Sequence, residues 1–195
     1  SYIVENEIVN FHPYVTDNKL QYLTFEAIEN STFKLTRNAC QYSLGEGETW
    51  VSLSANTNTP TVPVGSKIMF KATSPSMSSS YGIGTFSSTG KFNVEGNVMS
   101  MLYGDDFIGQ NKLTGKNYAF YGLFSGCTNV VEAHNLRLPA TSLATYCYNY
   151  MFYRCTSLIT APELPATTLT DGCYQSMFYG CTGLTTAPEL PATTL

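Results

Sequence analysis

The stretch Met151-Phe152-Tyr153-Arg154-Cys155-Thr156-Ser157-Leu158 returns 26 residues later as Met177-Phe178-Tyr179-Gly180-Cys181-Thr182-Gly183-Leu184. Identity continues at Ala161/Ala187, Leu164/Leu190, Pro165/Pro191 and Leu169/Leu195. A more divergent copy precedes both, Leu123-Phe124-Ser125-Gly126-Cys127-Thr128-Asn129-Val130 and then Leu138-Pro139-Ala140-Thr141-Ser142-Leu143. From its Cys to its Pro this copy is two residues longer, which places an insertion near His134-Asn135-Leu136. Upstream, Leu113-Thr114-Gly115 and Tyr118 to Phe120 echo Leu169 to Gly172 and Tyr174, a degenerate turn that opens the first copy. The chain stops as Leu195 closes the last Pro-Ala-Thr-Thr-Leu phrase, in the middle of a repeat, which reads as an array cut short.

A unit of this length cannot bury its own apolar side, so copies must stack and bury equivalent positions against one another. The expected ladders are Phe124/Phe152/Phe178, Val130/Leu158/Leu184, Leu138/Leu164/Leu190 and Leu143/Leu169/Leu195. Each Pro-bounded, β-branched Pro-Ala-Thr-Thr/Ser-Leu phrase predicts a short extended strand. Asp171 to Phe178 has no β-branched residue and predicts a helical or 3₁₀ turn. Five of the six cysteines lie in this region, and Cys147-x₇-Cys155 recurs as Cys173-x₇-Cys181. They fit either disulfides or buried thiols acting as small apolar ladder residues, and their ladder placement favours the second. A zinc site is not expected, because it needs close Cys pairs or partnering His, and His12 and His134 are the only histidines.

The order Met/Leu-Phe-x-x-Cys-Thr-x-Leu/Val, then a Pro-containing strand, then a turn back to Phe, resembles the BspA-like leucine-rich repeats of Bacteroidetes-type surface proteins. The resemblance covers about residues 113–195. It sets Phe124, Phe152 and Phe178 at the family's Phe and Cys127, Cys155 and Cys181 at its Cys. Here Met stands where the family has Ala before Phe, and Ala-Pro-Glu-Leu-Pro stands in the strand. The resemblance implies a leucine-rich-repeat solenoid on an extracellular cell-surface protein of adhesion, as in Bacteroides and its relatives.

Residues 21–103 read as short alternating or β-branched runs: Leu23 to Ala27, Thr32 to Thr36, Gln41 to Leu44, Thr49 to Leu53, Thr61 to Val64, Lys67 to Ala72, Thr85 to Ser87 and Lys91 to Val94. Turn signals separate them, among them Gly45-Glu46-Gly47-Glu48 inside a hairpin pattern and Glu95-Gly96-Asn97 before the apolar run Val98 to Tyr103. Such spacing predicts a β-sandwich, with Trp50 in its core and Ser74 to Ser80 as a loop. Residues 1–20 read as a lead strand or a linker. The stretch from Gly84 to Phe107, running straight into the repeats, also resembles the N-terminal domains that precede such arrays. The expected fold is therefore mainly β. An N-terminal antiparallel β-sandwich (residues 1–105) is followed by a solenoid (residues 106–195) of 26-residue repeats, each a short strand plus a helical or 3₁₀ turn.

Composition narrows the partners. The 195 residues carry 10 Lys+Arg and 14 Asp+Glu, a net charge of −4, and only 12% charged residues, about half the globular average. The 18 Ser and 25 Thr fill the gap. No basic surplus exists to neutralise phosphates, so nucleic acid is not an expected partner. No run of about 18 apolar residues predicts a membrane span, and the apolar content is too high for a disordered chain. The chain opens on Ser1 without a Met, as a processed product or fragment would.

No catalytic set emerges. His134 lies in the inserted loop and His12 is remote from it. Asp105-Asp106 could offer carboxylates to Ca²⁺ but lack a loop of ligand spacing, so a solvated interdomain turn is expected. Gly82-x-Gly84 is too short for a nucleotide fingerprint. No metal, cofactor or reaction is expected. The positive feature is tyrosine in the turns: Tyr146, Tyr148, Tyr150, Tyr153, Tyr174 and Tyr179. Tyr148/Tyr174 and Tyr153/Tyr179 recur at the repeat spacing and are the candidate partner-binding face, the alternative being a rigid wall of the solenoid. Exposed Tyr gives contact area at low entropic cost, and an uncharged Ser/Thr/Tyr surface suits a host or bacterial surface protein or a neutral glycan. The expected function is non-catalytic adhesion or recognition as a binding protein. The alternatives are a fibre or appendage subunit, possible for a phage of gut bacteria, and a glycan-active or Cys-dependent enzyme.

Overall fold

The computed structural model describes residues 20–45, 47–73 and 82–194. Residues 1–19, with His12, and the Ser74 to Ser80 loop lie outside the described residues, as does Leu195. The protein is mainly β. Its strands are β1 (Leu23–Ala27), β2 (Phe33–Leu35), β3 (Cys40–Leu44), β4 (Val51–Leu53), β5 (Lys67–Ala72), β6 (Phe86–Ser88), β7 (Phe92–Asn97) and β8 (Asn135–Arg137), with one short helix, α1 (Ser100–Tyr103).

The alternating runs become strands except Thr61 to Val64, where Val62 makes only an isolated bridge to Ser31, and the large sheet has the order β4-β3-β5-β1-β7-β8. The hairpin pattern pairs β3 with β4, Gln41 opposite Ser52. β1 lies between β5 and β7, antiparallel to both, with Phe25 opposite Ile68 on one side and Val94 on the other. β2 and β6 form a separate antiparallel pair. Its Phe33 and Phe86 meet Phe25 of the large sheet at ring-centroid distances of 5.2 and 4.9 Å. The large sheet departs from the expected all-antiparallel form at one place. β8, the insertion of the first repeat copy, runs parallel to β7 with Asn97 opposite Arg137.

One local expectation fails for a physical reason. Glu95-Gly96-Asn97 is not a turn but the end of β7. Gly96 has φ +81°, and a Cβ there would sit 2.0 Å from the Tyr22 carbonyl oxygen, so the glycine serves a close backbone approach. The run Val98 to Tyr103 yields helix α1, lashed to the sheet by Ser100. The Ser100 hydroxyl accepts from the Leu23 N–H at 3.0 Å and donates to the Phe70 carbonyl at 2.9 Å.

In the repeats, the expected helical or 3₁₀ turn is replaced by a different backbone scheme. Within residues 118–127, alternate N–H groups fold back three residues, as in Tyr121 to Tyr118, Leu123 to Phe120, Ser125 to Gly122 and Cys127 to Phe124. The intervening N–H groups of Tyr118, Phe120, Gly122, Phe124 and Gly126 reach the next copy, donating to Thr145, Cys147, Asn149, Met151 and Tyr153 at 2.7–3.0 Å. Tyr146, Tyr148, Tyr150, Phe152 and Arg154 repeat this onto Asp171, Cys173, Gln175, Met177 and Tyr179. Every fourth residue is left-handed to permit it: Tyr118, Gly122 and Gly126, then Tyr146, Tyr150 and Arg154, then Gly172, Ser176 and Gly180, with φ between 53° and 76°. The Pro-bounded phrases are extended only as isolated parallel bridges, Lys112 with Ser142 and Thr168 with Thr194.

This ladder stacks the phenylalanines. Phe124, Phe152 and Phe178 lie 5.2 and 5.7 Å apart with interplanar angles of 15° and 7°. Phe86 of β6 continues the stack at the other end, 5.9 Å from Phe124 at 21°. Its N–H donates to Leu123 at 2.7 Å, the bond that Phe124 makes to Met151 and Phe152 makes to Met177. β6 and β7 therefore occupy the place of an earlier copy, and a single buried core runs from Leu23 to Cys181. Burial fades along one expected ladder, with Leu138 2%, Leu164 7% and Leu190 50% exposed.

Phe152 is sandwiched between two rings with no exposure. Phe152→Ala is expected to cost about 3–5 kcal/mol, and chemical denaturation of the purified variant measures it; a loss below about 1 kcal/mol would sink the stack as a stabilising element. Gly96→Ala combines a forbidden φ with a backbone clash, and a loss of about 2–4 kcal/mol is expected by the same measurement.

Candidate functional site

The backbone scheme decides which tyrosines meet solvent. Along each repeat stretch two residues point inward, then two outward. Ala119, Phe120, Leu123 and Phe124 are buried, as are Cys147, Tyr148, Met151 and Phe152. Tyr148 is thus sealed in the core, sandwiched between Phe120 and Tyr174 at 5.7 Å on each side. Its hydroxyl and that of Tyr174 are buried without a partner, and desolvation raises both phenols above their ordinary range. Tyr148 cannot contribute to a binding face, and Tyr174 belongs to the same inner stack.

Tyr153 and Tyr179 do lie outside, stacked at 5.3 Å and 11°. The structure joins them to four further rings in one unbranched series. Tyr146 stacks on Tyr118 at 5.0 Å, Tyr118 meets Tyr121 at 5.9 Å, Tyr121 meets Tyr150 at 5.7 Å, and Tyr150 meets Tyr153 at 5.0 Å. No ring in the series touches more than two others in it. Tyr179 is 61% exposed and the others are half-buried. The Arg154 guanidinium lies over Tyr153 at 5.1 Å. The rings have fixed seats: a Cβ on Gly172, which has φ +60°, would come within 2.2 Å of the Tyr146 ring. Thr128, Thr156 and Thr182 are exposed at equivalent positions of the three copies. Sequence reading missed Tyr121 and Tyr118 as members because it assumed that tyrosines at repeat spacing share one outer side. The signal was the two-in, two-out alternation, with Gly at the fourth positions.

The remaining candidates resolve otherwise. All six cysteines are free and buried. Cys155 and Cys181 each donate their thiol to the phenylalanine carbonyl of the preceding copy, Phe124 at 3.0 Å and Phe152 at 2.9 Å. Burial pushes the Cys40 and Cys147 thiols up to about 12 and the Cys155 thiol higher still, which removes the thiolate that a nucleophile needs. Asp105 is exposed in the Gly104–Phe107 turn, as expected, yet it is paired. Both of its carboxylate oxygens bond Lys71 Nζ, at 2.7 and 2.9 Å, and Tyr22 donates to it at 2.8 Å. The Lys71 hydrogen bond holds its carboxyl below the usual range. Lys71 in turn lies 4.3 Å from the ring centroid of Trp50, which is half-buried beside Tyr22 rather than in the core. His134 is exposed, 3.2 Å from the Thr160 hydroxyl.

A concavity of about 520 Å³ lies where residues 108–111 face β8, with Leu136, Leu138, Pro139 and Pro165 in its lining and no aromatic ring. Among the described residues no group of three or more His, Cys, Asp or Glu could hold a metal ion. No helix among them is long and apolar enough to cross a membrane. No family model, curated protein or solved structure matches the chain.

Because burial raises the Cys40, Cys127, Cys147, Cys155 and Cys181 thiols, the folded state favours their protonated form. Their contribution to stability is complete below the unfolded thiol pKa of about 8.5 and falls as pH rises above it toward the folded values. Native protein at pH near 8 is expected to leave all six cysteines unmodified by a colorimetric thiol reagent, whereas urea exposes them; reaction of a native thiol within minutes would overturn this account of the site.

Proposed function

We propose that the chain is a non-catalytic recognition protein of the cell exterior, in which residues 106–195 form a leucine-rich-repeat solenoid of BspA-like type carried on the N-terminal β domain. The observation that carries the reading is the unbroken series of six outer tyrosines, held by stacking and by backbone ladders on a surface with little charge. Rigid, amphipathic rings of this kind give binding surface at low ordering cost. The interlocked copies support the solenoid reading, since each copy bonds its neighbour through five N–H groups and stacks its phenylalanine on the next. The location outside the cell rests on the family resemblance. The partner class is a surface protein or a neutral glycan, because six charged residues in 123–195 leave little for electrostatic steering.

Beads coated with the full chain are expected to attach to bacterial or epithelial cells. A double variant, Tyr150→Ser with Tyr153→Ser, should lower attachment about tenfold, as loss of anchoring aromatics does. Serine already stands at the equivalent positions Ser176 and Ser125, so the variant keeps side chains that the scheme accommodates. Attachment no better than albumin-coated beads, or equal for variant and parent, would sink the reading.

A further inference from the structure

Four of the outer tyrosines form two stacked pairs, and each pair joins neighbouring copies. Tyr153 of the second copy lies 5.3 Å from Tyr179 of the third, with 11° between the ring planes. Tyr118 of the first lies 5.0 Å from Tyr146 of the second, at 24°. We infer that these two pairs are sites of oxidative cross-linking, where a haem peroxidase with hydrogen peroxide joins each pair as dityrosine.

The step balances with those reagents alone. Each ring of a pair gives up one electron and its phenolic proton. The two phenoxyl radicals form a C–C bond between carbons ortho to their oxygens. The hydrogens on those two carbons then move to the oxygens, which restores both phenols. Two tyrosines and one hydrogen peroxide give one dityrosine and two waters, because the peroxide takes the two electrons and two protons that the rings lose.

Ring overlap is the first argument. The unpaired spin of a phenoxyl radical lies in its π system, above and below the ring plane, so coupling starts from faces that cover one another. The two stacked pairs supply that overlap. The other contacts of the series do not, since Tyr118 with Tyr121, Tyr121 with Tyr150 and Tyr150 with Tyr153 meet edge to face at 62°, 73° and 80°. The register of the pairs is held by the backbone ladders between copies. Tyr146 is held further by Gly172, where a Cβ would come within 2.2 Å of its ring.

An exit for the proton is the second argument. The hydroxyls of these four rings bond no other described residue. Three of the rings are half-buried and Tyr179 is 61% exposed, so water can take the proton as the electron leaves. Tyr148 and Tyr174 provide the contrast within the same molecule. They stack as closely parallel as the outer pairs, 5.7 Å apart at 7°, but both hydroxyls are buried without a partner. A proton released there has no acceptor, and a charge left in the core is costly. Each outer link would tie two copies covalently and restrict the unfolded chain as a disulfide does.

The test is treatment of the full chain with a haem peroxidase and hydrogen peroxide, followed by dityrosine fluorescence, denaturing gel electrophoresis and peptide mass spectrometry. Tryptic cleavage after Arg137 and Arg154 puts the two partners of each pair on different peptides. Linked peptides that have lost two hydrogen atoms are expected for Tyr153 with Tyr179 and for Tyr118 with Tyr146, on protein that still migrates as a single chain. Their yield per chain should be unchanged by about tenfold dilution, because both partners belong to one molecule. Tyr179→Phe keeps the ring but lacks the phenol, so it should abolish the first link and spare the second; an unfolding midpoint equal to the parent's confirms that its stack persists. Links only between chains, with a yield that falls on dilution, would overturn the assignment. So would a Tyr148–Tyr174 link in equal yield, or no link while the same reagents couple free tyrosine.

Discussion

The structure depends on how its repeat backbone divides its donors. Half of the N–H groups in residues 118–126 and 146–154 close turns within a copy, and the other half bond the next copy. A helix would spend every donor internally and leave copies to adhere by side chains alone. A strand would spend its donors on its neighbours and make no turn. The division does both, and it requires a left-handed residue at every fourth position, where L-residues carry a steric cost. Glycine meets that requirement at Gly122, Gly126, Gly172 and Gly180, while Tyr118, Tyr146, Tyr150, Arg154 and Ser176 adopt it under the constraint of the ladders.

The same division sorts the side chains. Two inward residues per turn build the Ala/Cys, Phe/Tyr and Leu/Met stacks, and two outward residues carry the tyrosines of the surface. The inner and outer aromatics are neighbours in sequence yet differ in chemistry. Tyr148 is a core ring whose hydroxyl lacks a partner, whereas Tyr150, two residues on, is half-buried in the outer series. Cys155 and Cys181 join in by donating a thiol to the phenylalanine carbonyl of the preceding copy, so they act as weak hydrogen-bond donors as well as small apolar fillers.

Much of this was legible from residues. The repeat spacing located the phenylalanine stack, and alternation located β1 to β5 nearly to their ends. The buried state of the cysteines followed from their ladder placement. What escaped was the backbone geometry between these landmarks. Gly96 looked like a turn because a glycine between Glu and Asn is a turn signal, but the approach of the Tyr22 carbonyl is a tertiary fact. The absence of β-branched residues in Asp171 to Phe178 suited a helix, and only the bonds between copies show why a helix does not form. The pairing of Asp105 was hidden because Lys71 and Tyr22 are remote in sequence. The joining of the two halves through Phe86 and β8 was likewise invisible, since neither carries the repeat pattern.

The two-residue difference between the first copy and the second has a structural address, β8, which lies outside the stretch where the two sets of donors alternate. This sets a rule for how such a chain can change length. Adding one residue within 118–126 would exchange the roles of the two donor sets and turn the core stack outward, and adding two would misplace every left-handed position. A change of four restores both. Outside that stretch the count is unconstrained, and the insertion found there is put to use as a strand. Lengths can therefore drift on the strand side of each unit while the tyrosine side stays counted in fours.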